Sequence, residues 1–221
     1  LQPQQTTPTS EGRSPQLEQL DPLQPLLQRL GITVWDLLLL GDGSGNAVDR
    51  PCGWAGILID NQTKGRRVNF GAMNAGSINL AETMPYLSLL NWFDGQYGKA
   101  RLESQGFLNV HVVTDSQVVA TWGNAAMAND MRVPRKHGAF WASLRYLRTL
   151  GYVCHFHWES RQRSRFNWAA DLIAGLSRVA MCSAAQLTPA DLTVAQNAAR
   201  VISELDFEDP MTGPLDVYSL A

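Results

Sequence analysis

The sequence predicts an α/β fold in which a mixed sheet of five strands is covered by helices. Three observations point to it. Apolar or alternating runs of strand length open the body of the chain, and short turns rich in Gly and Asn separate them. Segments with apolar residues at helical spacing then alternate with two further strands. The chain has 221 residues, of which 45% are apolar and 17% charged, enough to bury the core of one ordinary domain.

Each element has its own signature. Residues 25–30 read as a helical turn. Residues 33–40 are a dense apolar run, followed by Gly41-Asp42-Gly43-Ser44-Gly45-Asn46; length and flanks predict a buried strand and then a tight loop. Residues 53–60 and 66–73 read as two more strands joined by a turn at 61–65, so the first three form an antiparallel meander. Residues 80–93 place Leu80, Met84, Leu87 and Leu90 near helical spacing, with Asn79 as the expected N-cap. Pro85 stands early in that helix. Residues 95–106 read as a Gly-rich polar loop, and 108–113 as the fourth strand. A short helix over 116–122 is expected to stop at Gly123-Asn124. Residues 124–136 read as a loop, 140–150 as an amphipathic helix, and 152–158 as the fifth strand. A loop at 159–166, a helix over 167–182 and a further helix over 189–204 complete the order.

The ends differ from the middle. Residues 1–24, rich in Gln, Pro, Ser and Thr, read as a flexible arm. Residues 25–185 form the expected body, with 16 Lys and Arg against 11 Asp and Glu. Residues 186–221, with one Arg against six acids, read as a C-terminal helix and acidic tail. A basic body between acidic ends suits a polyanionic partner. No run approaches the ~20 apolar residues that span a bilayer, and no basic-then-apolar leader opens the chain. Cys52, Cys154 and Cys182 are odd in number and far apart, which disfavours a disulfide scaffold or zinc module and fits a reducing compartment. An intracellular location, whether cytoplasm, nucleus or a virus-associated compartment, is the expectation. Leu1 is not an initiator Met, so a processed product or a fragment is also expected.

Four acids stand where acids are expensive. Asp42 follows the first strand, Glu82 sits beside Leu80 and Ala81 at a helix start, Asp115 ends the fourth strand, and Asp171 interrupts the apolar stretch around Trp168, Ala169, Ala170, Leu172 and Ile173. Taken singly, each is explained as a cap, a turn residue or an exposed helix position. Taken together they form a set of hard oxygen donors that repel one another unless cations are present, and such donors suit Mg²⁺ or Mn²⁺.

The motifs around these acids resemble ribonuclease H. Asp42-Gly43-Ser44, followed by Gly53-Trp54-Ala55-Gly56-Ile57-Leu58, resembles the family's opening hairpin. Asn79-Leu80-Ala81-Glu82 is similar to its first-helix segment, and Val113-Thr114-Asp115-Ser116 to the end of its fourth strand. Asn167-Trp168-Ala169-Ala170-Asp171-Leu172-Ile173-Ala174 is similar to its last helix, and Trp158 falls at a matching aromatic. The likeness covers residues 32–183 and the four pieces occur in the family's order. It implies a ribonuclease H-like sheet, three antiparallel strands and then parallel ones. It also implies a metal-dependent endonuclease that cleaves the RNA strand of RNA–DNA hybrids with two Mg²⁺ ions, Mn²⁺ substituting. Asp42, Glu82, Asp115 and Asp171 are the implied catalytic metal ligands. Asn79 and Ser44 are implied contacts to the nucleic acid, Asn79 through the 2′-hydroxyl. Arg132, Arg135 and Lys136, with Arg161, Arg163 and Arg165, are the expected phosphate contacts.

The match has gaps. The loop at 159–166 lacks the histidine that cellular members carry there, and an arginine is a poor proton shuttle at neutral pH. His155 and His157 lie upstream, where they read as sheet residues. Trp122 and Trp141 have the spacing of core residues. The arm and tail are foreign to a minimal member and point to a polyprotein, a viral or mobile-element product, or a larger nucleoprotein assembly. Two alternatives to hybrid cleavage therefore stand beside it: a nuclease of the same fold acting on DNA or structured nucleic acid, and a non-catalytic nucleic-acid-binding scaffold.

Overall fold

Strand β1 (Leu37–Ser44) carries the run of four leucines, and residues 37–40 expose no surface. A strand is apolar on both sides only where both faces are covered. Leu37 and Leu39 pack into one core, and Leu38 and Leu40 into another on the opposite face. The computed structural model of the protein describes residues 23–45, 50–128, 138–183, 187–191, 193–194 and 196–197.

The other strands are β2 (Cys52–Asp60), β3 (Arg66–Met73), β4 (Leu108–Thr114) and β5 (Tyr152–Trp158). Their order across the sheet is β3-β2-β1-β4-β5. The β1–β2 and β2–β3 pairs are antiparallel, and β1–β4 and β4–β5 are parallel. This is the mixed sheet that the sequence predicts. Among the described residues, the helices that flank it are α1 (Leu23–Arg29), α2 (Ile78–Phe93), α3 (Lys99–Gln105), α4 (Gln117–Met127), α5 (Gly138–Leu150) and α6 (Arg165–Met181). Helices α2, α4 and α5 supply Tyr86, Leu89, Val119, Trp141 and Leu144 to one core, and α1 and α6 supply Leu26, Leu27, Phe166 and Ala169 to the other. Trp141 is buried there and meets Trp122 edge to face at 6.0 Å, so both are packing residues. No helix among the described residues is long and apolar enough to cross a membrane.

Several boundaries differ from the sequence reading, each for a local reason. The first strand continues through Asp42 to Ser44 where a loop was expected. The glycines there are seats for a helix rather than turn residues. A Cβ on Gly43 would lie 2.5 Å from the amide nitrogen of Glu82 and 2.6 Å from the carbonyl carbon of Ala81. Helix α2 starts one residue earlier than Asn79, and its N-cap is Ser77, whose hydroxyl accepts from the Leu80 amide at 3.2 Å. The expected loop at 95–106 is a π-helical turn (Asp94–Gly98) leading into α3, which ends at Gly106 with φ at +80°. Helix α4 does not stop at Gly123-Asn124. Gly123 lies flat against the Phe156 ring, and the Asn124 amide spans the Phe156 backbone, donating to its carbonyl at 2.8 Å and accepting from its N–H at 2.9 Å.

Beyond α6, residues 189–191, 193–194 and 196–197 are helical, and the rest of the predicted helix lies outside the described residues. Thr188 and Asp191 cap that segment reciprocally: Asp191 accepts from the Thr188 amide at 2.9 Å, and Thr188 accepts from the Asp191 amide at 3.3 Å. Asp191 also pairs with Arg178 of α6.

Candidate active site

Four elements deliver the four acids to one end of the sheet. Asp42 follows Leu38 and Leu40 at period two in β1. Glu82 lies in the second turn of α2, past the first turn where a charge would serve the helix terminus. Asp115 follows the last residue of β4, and Asp171 lies in α6. Carboxylate oxygens of Asp42, Glu82 and Asp115 all lie within 4.8 Å of one another. The bare backbone at Gly43 lets α2 approach β1 closely enough to bring Glu82 to Asp42. Tyr86, fully buried one turn later, donates its hydroxyl to the Gly41 carbonyl at 2.8 Å and lies 3.3 Å from the Val113 carbonyl. It ties α2 to the ends of both acid-bearing strands. Trp158 steadies Asp115 by donating its indole N–H to that residue's carbonyl at 2.8 Å.

Asp171 joins the group through Arg161. The guanidinium of Arg161 touches three acids: Nη1 reaches Asp171 Oδ1 at 2.7 Å, Nε reaches Asp115 Oδ2 at 2.8 Å, and Nη2 reaches Asp42 Oδ2 at 3.2 Å. The last contact is an ion pair without a hydrogen bond, so Asp42 Oδ2 is buried and unbonded; Glu82 Oε2 is in the same state. Burial pushes the Asp42 carboxyl up to about 9, and the neighbouring Glu82, Asp115 and Asp171 add to the rise against Arg161. Glu82 is pushed up to about 8, first by burial and then by Asp115. Burial also raises Asp171. Two buried carboxyl oxygens without hydrogen-bond donors, beside a third carboxylate, form a set that a hard divalent cation fits. Asp42, Glu82 and Asp115 are the residues placed to hold it, with Asp171 adjacent.

The other expected site residues are spread more widely. Ser44, half-buried at the end of β1, accepts from Arg178 Nε at 3.2 Å. Asn79 is half-buried in the first turn of α2. Arg161 and Arg163 belong to a 3₁₀ turn (Arg161–Arg163) between β5 and α6; Arg163 is exposed, and Arg165 opens α6. Arg132, Arg135 and Lys136 lie outside the described residues.

Two features escaped sequence reasoning. Arg161 reads as one of three alternate arginines in a basic loop, and nothing in that spacing separates the inward one from its neighbours. Asn167, which opens the last-helix motif but was given no role there, is 2% exposed, has neither amide atom hydrogen-bonded, and precedes Asp171 by one turn on α6. The histidines lie as sheet residues. His111 stacks on His155 and His157 at 5.0 and 5.1 Å, with its Nδ1 2.8 Å from His157 Nε2, so the rings stack instead of converging on a point. Burial, then the two neighbouring rings, lower His111 to about 4. The three cysteines are free thiols.

The architecture has known counterparts. The structure of ribonuclease H1 LC11, isolated from compost by a metagenomic approach, matches with a TM-score of 0.52 at 16% identity, covering 68% of this chain and 100% of that one. The same LC11 enzyme in complex with RNA/DNA hybrid matches at 0.50 and 15% identity, covering 66% and 99%. The N-terminal ribonuclease H domain of Rv2228c from Mycobacterium tuberculosis, solved as a fusion with maltose-binding protein, scores 0.48 at 16% identity over 67% and 96%. No protein-family model and no curated protein matches the sequence. The chain has the ribonuclease H fold.

Proposed function

We propose that the protein is a metal-dependent endonuclease of ribonuclease H type that hydrolyses the RNA strand of RNA–DNA hybrids. One observation carries the reading: carboxylates from β1, α2 and the end of β4 meet within 4.8 Å, with buried oxygens left unbonded. Packing alone does not require like charges to gather in this way. Two divalent ions bound there, Mg²⁺ or Mn²⁺, would supply an activated water and charge stabilisation for the leaving 3′-oxygen. Asp42 and Glu82 anchor the group from the buried side, and Asp115 and Asp171 face the more open side. Asn79 in the first turn of α2 is assigned to the 2′-hydroxyl, Ser44 to the adjacent strand, and Arg163, Arg165, Arg132, Arg135 and Lys136 to phosphates.

The test is a substrate panel of hybrid, duplex DNA, duplex RNA and a four-way junction, with Mg²⁺ or Mn²⁺. The hybrid is expected to be cut, and Asp115→Asn to lower the rate at least about a hundredfold, the scale of losing one electrostatic stabiliser. Cleavage of another duplex in its place redirects the reading to a nuclease of the same fold.

Arg161 favours a second reading. An arginine that already neutralises three of the acids suits a scaffold that binds nucleic acid without cutting it. Hybrid binding with no turnover in either metal would select that reading.

A further inference from the structure

Arg161 presents three nitrogens to acids on three different elements, at 2.7, 2.8 and 3.2 Å. Its side chain is 41% exposed while the acids beneath are 2%, 16% and 31% exposed, so the guanidinium covers the cluster from the solvent side. Its turn is held at both ends. Before it, the Glu159 amide donates to the Thr114 carbonyl at 2.9 Å, and the buried Glu159 carboxylate pairs with Arg29 of α1 at 3.0 Å. After it, buried Ser164 caps α6 by accepting from the Asn167 amide at 3.3 Å. Between these anchors the 3₁₀ turn (Arg161–Arg163) bridges β5 and α6.

A guanidinium hydrogen-bonded to these oxygens would stand within a few ångströms of any cation they ligate. Like charges at that distance exclude one another. The opposite effect holds without metal: the clustered carboxylates of Asp42, Asp115 and Asp171 have the guanidinium of Arg161 between them as their counter-charge. The planar fork that grips carboxylates also fits a phosphate. An arginine displaced from the acids at the mouth of this site has the backbone of a bound strand as its alternative partner.

We propose that Arg161 is a tethered counter-cation that latches the metal-free site and competes with divalent metal for Asp42, Asp115 and Asp171. The proposal rests on the metal-centre reading above. The latch closes the site before metal and substrate arrive. It makes metal loading and phosphate binding help each other, because each removes the guanidinium from the other's path.

The experiment measures Mn²⁺ binding to the full chain by titration calorimetry, for wild type, Arg161→Ala and Arg161→Gln, with Asp115→Asn as the site control. A latch closed nine times in ten weakens apparent affinity about tenfold, so both Arg161 variants are expected to bind Mn²⁺ at least about tenfold more tightly. Thermal melts give a second readout. In EDTA the variants should melt below wild type, and saturating Mn²⁺ should erase or reverse that order. A variant that is unfolded in EDTA and folds on adding Mn²⁺ supports the latch; one that stays unfolded with Mn²⁺ overturns it. Equal or weaker Mn²⁺ binding in the variants overturns the latch and leaves the metal centre standing. No Mn²⁺ binding in any form removes the metal centre and the latch with it.

Discussion

Asp42 and Asp60 sit at opposite ends of the paired strands β1 and β2, and each is 1% exposed. Their surroundings could hardly differ more. Asp60 is fully bonded: Oδ1 accepts from the Gln62 amide at 2.9 Å, Oδ2 from the Thr63 hydroxyl at 3.0 Å, and Arg101 Nη1 reaches both oxygens at 3.2 and 3.0 Å. Asp42 accepts one hydrogen bond, from the Gly43 amide at 2.7 Å, and its other oxygen has none. Around it stand further acids, and Arg161 Nη2 at 3.2 Å meets its second oxygen as an ion pair without a hydrogen bond. Burial alone therefore does not mark a functional acid. What separates the two is whether the fold has already supplied the partners that burial demands.

That contrast has a direct test with the same substitution at both ends. Asp60→Asn leaves Arg101, whose side chain is 12% exposed, without its counter-charge, and losing one side of a fully buried pair costs about 3–5 kcal/mol, which bounds the loss here. Urea denaturation should show that loss. Asp42→Asn removes a buried carboxyl that must take up a proton on folding at pH 8, so the metal-free protein should hold or gain stability there. If Asp42→Asn destabilises as much as Asp60→Asn, Asp42 is a structural acid and the comparison fails.

The pH dependence sharpens the same point. The folded-state values of Asp42 and Glu82, about 9 and about 8, stand above their ordinary 3.8 and 4.5. Between those limits the folded protein keeps protons that the unfolded chain has released. Stability of the metal-free protein then falls as pH rises from about 4.5 to about 9, by up to about 1.4 kcal/mol per pH unit for each proton retained. Asp42→Asn should flatten the decline, and saturating Mn²⁺ should oppose it by binding the ionised carboxylates. The check is a melting series over that range with and without metal. A flat wild-type profile in EDTA would show that the acids ionise freely.

Much of this contrast was legible in the sequence. The alternation in β5 and the helical spacing of α5 are local patterns, and each produced its element to within two residues, while the four leucines located β1 but with both ends placed four residues too early, over 33–40 in place of 37–44. The candidate acids stood out because apolar neighbours flank them, a signal that survives without coordinates. Glycine misled the reading, since a strand glycine seated under a helix and a turn glycine look alike until the helix is in place. Hence β1 was cut short at Gly41 and α4 at Gly123. The direction of Arg161 was not legible either. It depends on how β5 and α6 meet, which no periodicity within the loop encodes.

The smallest expected effect compares Arg161 with Arg163, two residues away on the same turn. Arg161 is turned inward to three acids, while Arg163 is exposed and engaged through its backbone, its amide donating to the Ser160 carbonyl at 3.0 Å and its carbonyl accepting from Arg29 Nη2 at 3.4 Å. An exposed side chain of this kind contributes little to folding, so Arg163→Ala should change stability by no more than about 0.5 kcal/mol. Its effect belongs to binding. A phosphate contact shows as a uniform weakening across sequences and a drop of about one in the slope of log affinity against log salt. Hybrid binding measured between about 50 and 200 mM salt would read that slope for wild type and Arg163→Ala. A slope that does not move places Arg163 off the nucleic acid, and confines the role of this turn to the arginine that faces the acids.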